Sequence, residues 1–199
     1  KEGLPVPSLV APRPPKLCDG CPHVDSYTAL NEAMKSFPGG RVFSDIGCYT
    51  LGALPPFQAI YSTVDMGASI TMAKGASEAD LLPSVAVIGD STFTHSGMTG
   101  LLDCCVDNAN VTVIILDNGI TGMTGSQKSS ATGRIESICT GLGVDPAHIR
   151  VINPLKKYFE ENVAIMKEEI AYKGVSVIIP RRECIVALNK RLKAAKKAQ

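Results

Sequence analysis

The chain has 199 residues, 45% of them apolar and 20% charged, a composition that excludes a disordered polymer and suits one globular domain with a sizeable core. A formal net charge of +1 excludes a polyanion-binding surface spread over the whole molecule, and aromatics at 5% argue against base stacking, so no nucleic-acid partner is expected. No apolar run approaches the ~20 residues of a membrane span, and Lys1-Glu2-Gly3 opens no signal-peptide pattern, so a cytoplasmic protein without a membrane partner is expected.

Residues 1–16 are proline-rich and aperiodic, an extended arm or linker. Residues 18–23 read as a cysteine-rich turn. A helix is expected over 25–36, with Asp25 or Ser26 as N-cap and Pro38-Gly39-Gly40 as its stop. A short strand follows at 41–45 and ends at Gly47-Cys48. Closely spaced small residues over 66–77 predict a tightly packed helix. Residues 84–88 and 111–116 are continuous apolar runs, as in strands buried on both faces. Helices are expected at 97–107, 133–142, 156–172 and 185–197, and strands at 148–152 and 175–179. The last helix carries Lys190, Arg191, Lys193, Lys196 and Lys197, read as a solvated helix end. Repeated strand–helix alternation predicts an α/β domain over 17–199, with a mostly parallel sheet and helices on both faces. Ligands of such sheets sit beyond the carboxyl ends of the strands, so the residues that follow the strands carry the functional signal.

Strand 84–88 runs into Gly89-Asp90-Ser91, and strand 111–116 into Asp117-Asn118-Gly119. One carboxylate and one carboxamide thus reach the same sheet edge. Hard oxygen donors of this kind suit Mg²⁺ that is shared with substrate phosphates. Nearby glycines allow backbone amides to approach an anion, and a helix beginning at Gly97-Met98-Thr99 would point its positive end at it. The competing reading is that Asp90 and Asn118 merely cap loops after strands.

The ordered pattern Gly-Asp-x-x-Phe…Gly-x-x-x-Leu…Asn-Val-Thr-Val-Ile-Ile-Leu-Asp-Asn resembles the diphosphate-binding motif of thiamine diphosphate enzymes, with Ser91 where that motif usually has its second glycine. Residues 117–127, Cys18-Asp-Gly-Cys-Pro-His23, Ser44-Asp-Ile-Gly-Cys-Tyr49 and Met66-Gly-Ala-Ser-Ile70 resemble the 2-oxoacid:ferredoxin oxidoreductases. The Cys-Pro-His element, the Gly-Cys-Tyr-Thr-Leu-Gly stretch at 47–52 and the Met-Thr-Gly-x-Gln ending are most similar to the alpha subunit of their indolepyruvate branch. The resemblance implies a diphosphate-type thiamine-binding domain that uses thiamine diphosphate and Mg²⁺. The metal would be held by the side chains of Asp90 and Asn118 and the carbonyl of Ile120. Gly47, Cys48, Gly67, Gly89, Ser91, Thr124 and Gln127 would surround the cofactor, although Thr124 and Gln127 also read as turn-stabilising residues.

The implied reaction is oxidative decarboxylation of a 2-oxoacid, with indolepyruvate or another aryl pyruvate favoured, to an acyl-CoA. Pyruvate, 2-oxoglutarate and branched-chain oxoacids stay open as substrates. Electrons would leave through iron–sulfur clusters to ferredoxin. The family further implies a pyrimidine-binding and a ferredoxin domain in the same subunit, a smaller second subunit, coenzyme A and an oligomeric assembly. The chain is therefore expected to be a piece of a longer subunit and not to turn over alone. An acetolactate-synthase-like decarboxylase needs no thiolate site, which the Cys-x-Gly-Cys-Pro-His element suggests. A regulatory nucleotide- or metal-binding module is disfavoured because neither a P-loop nor a Gly-x-Gly-x-x-Gly after a strand occurs.

Seven cysteines without an export pattern point to a reducing compartment. By the resemblance, Cys18, Cys21, Cys48 and Cys184 match the ligands of a [4Fe–4S] cluster; zinc, free thiols or a Cys18–Cys21 disulfide remain alternatives. Cys104, Cys105 and Cys139 read as small buried hydrophobes. His23, beside the cysteine pair, is a candidate catalytic proton donor or phosphate partner, or an orienting turn residue. His95 is weighed as facing the diphosphate, and His148 as structural.

Overall fold

The computed structural model describes residues 14–197 together with residues 5, 7 and 9–11. The rest of the arm expected over 1–16 lies outside the described residues. Six parallel strands form one sheet in the order β2-β1-β3-β4-β8-β7: β1 Arg41–Ser44, β2 Ser62–Thr63, β3 Ser84–Gly89, β4 Val111–Leu116, β7 Ile149–Ile152 and β8 Val175–Pro180. A two-stranded antiparallel ribbon, β5 Ile120–Thr121 with β6 Gln127–Lys128, stands apart from it. Every residue of β3, β4 and β8 is buried, as their continuous apolar runs require.

Alternation along the strands divides the core into two layers. Ala86, Ile88, Val113, Ile115, Val177 and Ile179 face helices α2 (Ala68–Glu78), α4 (Met98–Val106) and α5 (Ile135–Gly141). Val85, Val87, Ile114, Leu116 and Ile178 face α1 (Pro22–Met34) and α6 (Phe159–Ala171). The helix α7, Ile185–Lys197, buries no residue, in keeping with a solvated basic end.

Two helix starts differ from expectation. The first helix begins at Pro22 with Cys21 as its N-cap, because proline fits the first helical position and lacks the amide that would go unpaired there; Asp25 falls in the first turn instead of capping it. The helix expected from Gly97 begins at Asp90, directly after β3. It runs as α3 (Asp90–Thr92), a π-helical turn (Phe93–Gly97) and then α4. The positive end therefore belongs to Asp90-Ser91-Thr92, and Gly97 lies inside the helix. The short strands β2, β5 and β6 carry no apolar alternation and were not expected.

Candidate functional site

The loops leaving β1, β3 and β4 enclose a cavity of about 290 Å³ at the carboxyl edge of the sheet. Strand order reverses between β1, whose neighbour β2 lies to one side, and β3, which leads to the other. This is the switch point at which ligands of open parallel sheets bind. Of the residues singled out by sequence, His23, Gly47, Cys48, Gly89, Asp90, Ser91, Asn118, Ile120 and Thr124 line the cavity. Gly67, Gln127, Cys18, Cys21 and Cys184 do not. His95 is exposed on the π-turn, away from the lining.

Asp90 is 3% exposed, and desolvation pushes its carboxyl up to about 6. Its Oδ1 accepts from the Ser91 amide at 2.7 Å, and its Oδ2 from the Gly119 amide at 3.0 Å. Asn118 turns its Oδ1 to the Ile120 amide at 3.0 Å and its Nδ2 to His23 Nε2 at 3.3 Å. Burial holds the His23 imidazole down at about 4, so it is neutral at physiological pH. One buried carboxylate, one carboxamide oxygen and backbone carbonyls in a single cavity are a donor set that fits Mg²⁺ with diphosphate oxygens completing its shell.

The most consequential residue that sequence reasoning passed over is Tyr49. It is buried, lines the cavity and meets the His23 ring edge-on at 6.3 Å. Its hydroxyl donates to Asp45 Oδ1, while Asp45 Oδ2 accepts from Ser69 Oγ at 2.8 Å and the Gly67 amide at 3.1 Å. A methyl on Gly47 or Gly89 would stand 2.3 or 2.5 Å from the Tyr49 ring. These two glycines are thus small to admit the ring. Gly67 has φ +95° and packs on Ser96 of the π-turn, serving the Asp45 network outside the cavity. Tyr49 lay in plain view within Ser44–Tyr49, but nothing in the spacing shows which way a ring turns.

Hydroxyl pairs tie the loop after β4 to the helix after β3. Thr121 Oγ1 donates to Ser91 Oγ at 2.8 Å, and Thr94 Oγ1 meets Ser130 Oγ at 2.9 Å. Thr124 and Gln127 bond to each other, Thr124 Oγ1 donating to Gln127 Oε1 at 2.7 Å and Gln127 Nε2 to the Thr124 carbonyl at 2.7 Å.

All seven cysteines are free. Cys18, Cys21, Cys48 and Cys184 share one corner of the molecule. Burial, with added repulsion from the other three, pushes the Cys21 thiol up to about 11. Among the described residues, no three His, Cys, Asp or Glu side chains stand close enough to hold a single metal ion. Cys104 and Cys139 are core residues, and Cys105 is half-buried beside them. His148 is structural: its Nδ1 lies 2.9 Å from buried Glu169, and its ring stacks on Tyr172 at 3.5 Å.

A parallel sheet whose switch point holds an acidic–amide oxygen pair at the head of a helix defines an α/β domain of the class that takes its ligand beyond the carboxyl ends of the strands. Residues 45–179 match the family model described as thiamine pyrophosphate enzyme, C-terminal TPP binding domain, and the chain belongs to that family. A protein of Archaeoglobus fulgidus named indolepyruvate oxidoreductase subunit IorA is 37% identical over 186 residues, covering 88% of this chain and 29% of that protein. One of Pyrococcus horikoshii with the same name is 36% identical over 203 residues, covering 90% of this chain and 30% of that protein. The chain thus spans about three tenths of the length of these curated relatives. Among solved structures, a 2-oxoglutarate:ferredoxin oxidoreductase from Magnetococcus marinus superimposes with TM-score 0.71 at 18% identity, over 87% of this chain and 66% of that one, and so shares the fold.

Proposed function

We propose that this chain is the diphosphate- and Mg²⁺-binding domain of a ferredoxin-linked 2-oxoacid oxidoreductase acting on indolepyruvate or a similar aryl pyruvate. The observation that carries the reading is the delivery of Asp90 and Asn118 by adjacent buried strands into one cavity at the switch point. The identity with subunits named for indolepyruvate supports the substrate class. When bound, thiamine diphosphate supplies a thiazolium that stabilises carbanion character at the oxoacid carbon. Asp90, Asn118 and the Ile120 carbonyl hold the metal, and the amides at the head of α3 receive the diphosphate. His23, kept neutral, orients the Asn118 amide. The Tyr49 ring walls the cavity against water. Exposed Ile46, Met66 and Met123 at its rim leave an apolar margin for a further domain to cover. Coenzyme A, ferredoxin, the pyrimidine-binding domain and a second subunit enter as partners of the assembled enzyme.

The test is a calorimetric titration of the assembled enzyme with thiamine diphosphate at fixed Mg²⁺, with ADP as control. Binding that requires Mg²⁺ and weakens at least 100-fold in Asp90→Ala is expected. Binding that is unchanged in Asp90→Ala, or matched by ADP, would sink the assignment.

A further inference from the structure

Asp90 and Asp117 leave neighbouring strands side by side, since Gly89 pairs with Leu116 in register. Asn118 turns into the cavity, whereas Asp117 turns to the α5 side and is only 6% exposed. Its charge is met by Arg181, the first residue beyond β8. The Arg181 Nε donates to Asp117 Oδ2 at 2.6 Å, and its two terminal nitrogens donate to the two oxygens of Glu136 on α5 at 2.8 and 2.7 Å. Main-chain bonds extend the attachment. The Asp117 amide donates to the Pro180 carbonyl at 3.0 Å, the Arg182 amide to the Asp117 carbonyl at 3.0 Å, and the Cys184 amide to the Asn118 carbonyl at 3.1 Å. On the other side, the Gly119 amide rests on Asp90. The segment 117–120 is therefore stretched between Asp90 and the Arg181 fork.

We infer that Arg181 is a positioning residue for the divalent cation: by locking Asp117 to α5 it fixes where Asn118 and Ile120 present their oxygens. The inference rests on the cofactor reading above. Two physical effects of losing Arg181 have opposite signs. Removing a positive charge near a cation site tightens cation binding by simple Coulomb attraction. Releasing the loop that carries two of the ligands weakens it. The Asp117 carboxylate, buried and without its partner, would leave its place and carry Asn118 with it. A lysine brings one ammonium to a place where a planar fork spans three carboxylate oxygens, so it restores the charge and not the geometry.

The experiment uses Mn²⁺ as the probe, counted by the paramagnetic resonance signal of the free ion, in the assembled enzyme with saturating thiamine diphosphate. Arg181→Met is expected to raise the Mn²⁺ dissociation constant about tenfold and Arg181→Lys at least threefold. If Arg181→Met fails to fold, Arg181→Lys decides. A role confined to holding the fold would lower the thermal midpoint and leave the Mn²⁺ constant of the folded protein where it was. Wild-type uptake with constants in the folded variants unchanged or tighter overturns the role of Arg181 alone. No Mn²⁺ uptake by the wild type overturns the cofactor reading, and this inference with it.

Discussion

At the scale of single residues, two glycines of the same loop edge answer to different constraints. A methyl on Gly89 collides with the Tyr49 ring at 2.5 Å, whereas one on Gly119 meets nothing within 4 Å, and only the φ of +77° opposes it. Gly89→Ala should therefore lower stability by about 2–3 kcal/mol through overpacking, and Gly119→Ala by about 1 kcal/mol through backbone strain. Denaturant unfolding of both variants checks the order. Glu136 offers a second test. The Arg181 guanidinium holds its carboxyl below the usual 4.5. A depressed acid contributes stability above its unfolded pKa and loses it as pH falls through the lower folded value. The wild type should exceed Glu136→Gln by no more than about 1 kcal/mol at pH 7, given a half-exposed pair. That margin should shrink as pH falls below 4.5 and be gone once the carboxyl is protonated in the folded state, as read by acid titrations followed by thermal unfolding. Asp90 and Asn118 were legible in the sequence because two apolar runs end in them. Arg181 was not, because its meaning depends on β8 lying beside β4, which no local pattern encodes.

Among the elements, strands announced themselves through continuous apolar runs, while the helix after β3 did not show where it starts. Its first turn, Asp-Ser-Thr, consists of residues that favour caps and turns, and the π-turn at Phe93–Gly97 interrupts any regular period. The interruption has a structural use. It brings Thr94 to Ser130 and sets Ser96 Oγ 2.8 Å from the Met66 carbonyl, so one irregular turn binds the loops on both sides of the cavity. Thr94→Val keeps the side-chain shape and removes the hydroxyl. Amide exchange in 119–130 should then speed up several-fold while β3 and β4 stay protected. Uniform acceleration across the chain would mean that the variant had lost global stability instead.

At the scale of the whole molecule, the sheet sorts its work by edge. The amino-terminal ends of β7 and β8 lie near the closed network of His148, Arg150 and Glu169, and among the described residues no buried side-chain polar atom lacks a partner. The carboxyl ends open into a cavity whose rim is apolar and uncovered. Met66 and Met123 are 41% and 69% exposed and both line that cavity, whereas Met166 is fully buried against α1 and the sheet. Peroxide converts methionine to its sulfoxide at a rate set by exposure. Oxidation of the protein should therefore mark Met66 and Met123 first and Met166 last, as read by mass spectrometry of its peptides. Thiamine diphosphate with Mg²⁺ should slow both rim residues several-fold and leave the rate at half-buried Met72, which does not line the cavity, unchanged. Protection shared equally by all three would report a general tightening of the fold, while protection confined to the rim locates the ligand at the switch point between β1 and β3.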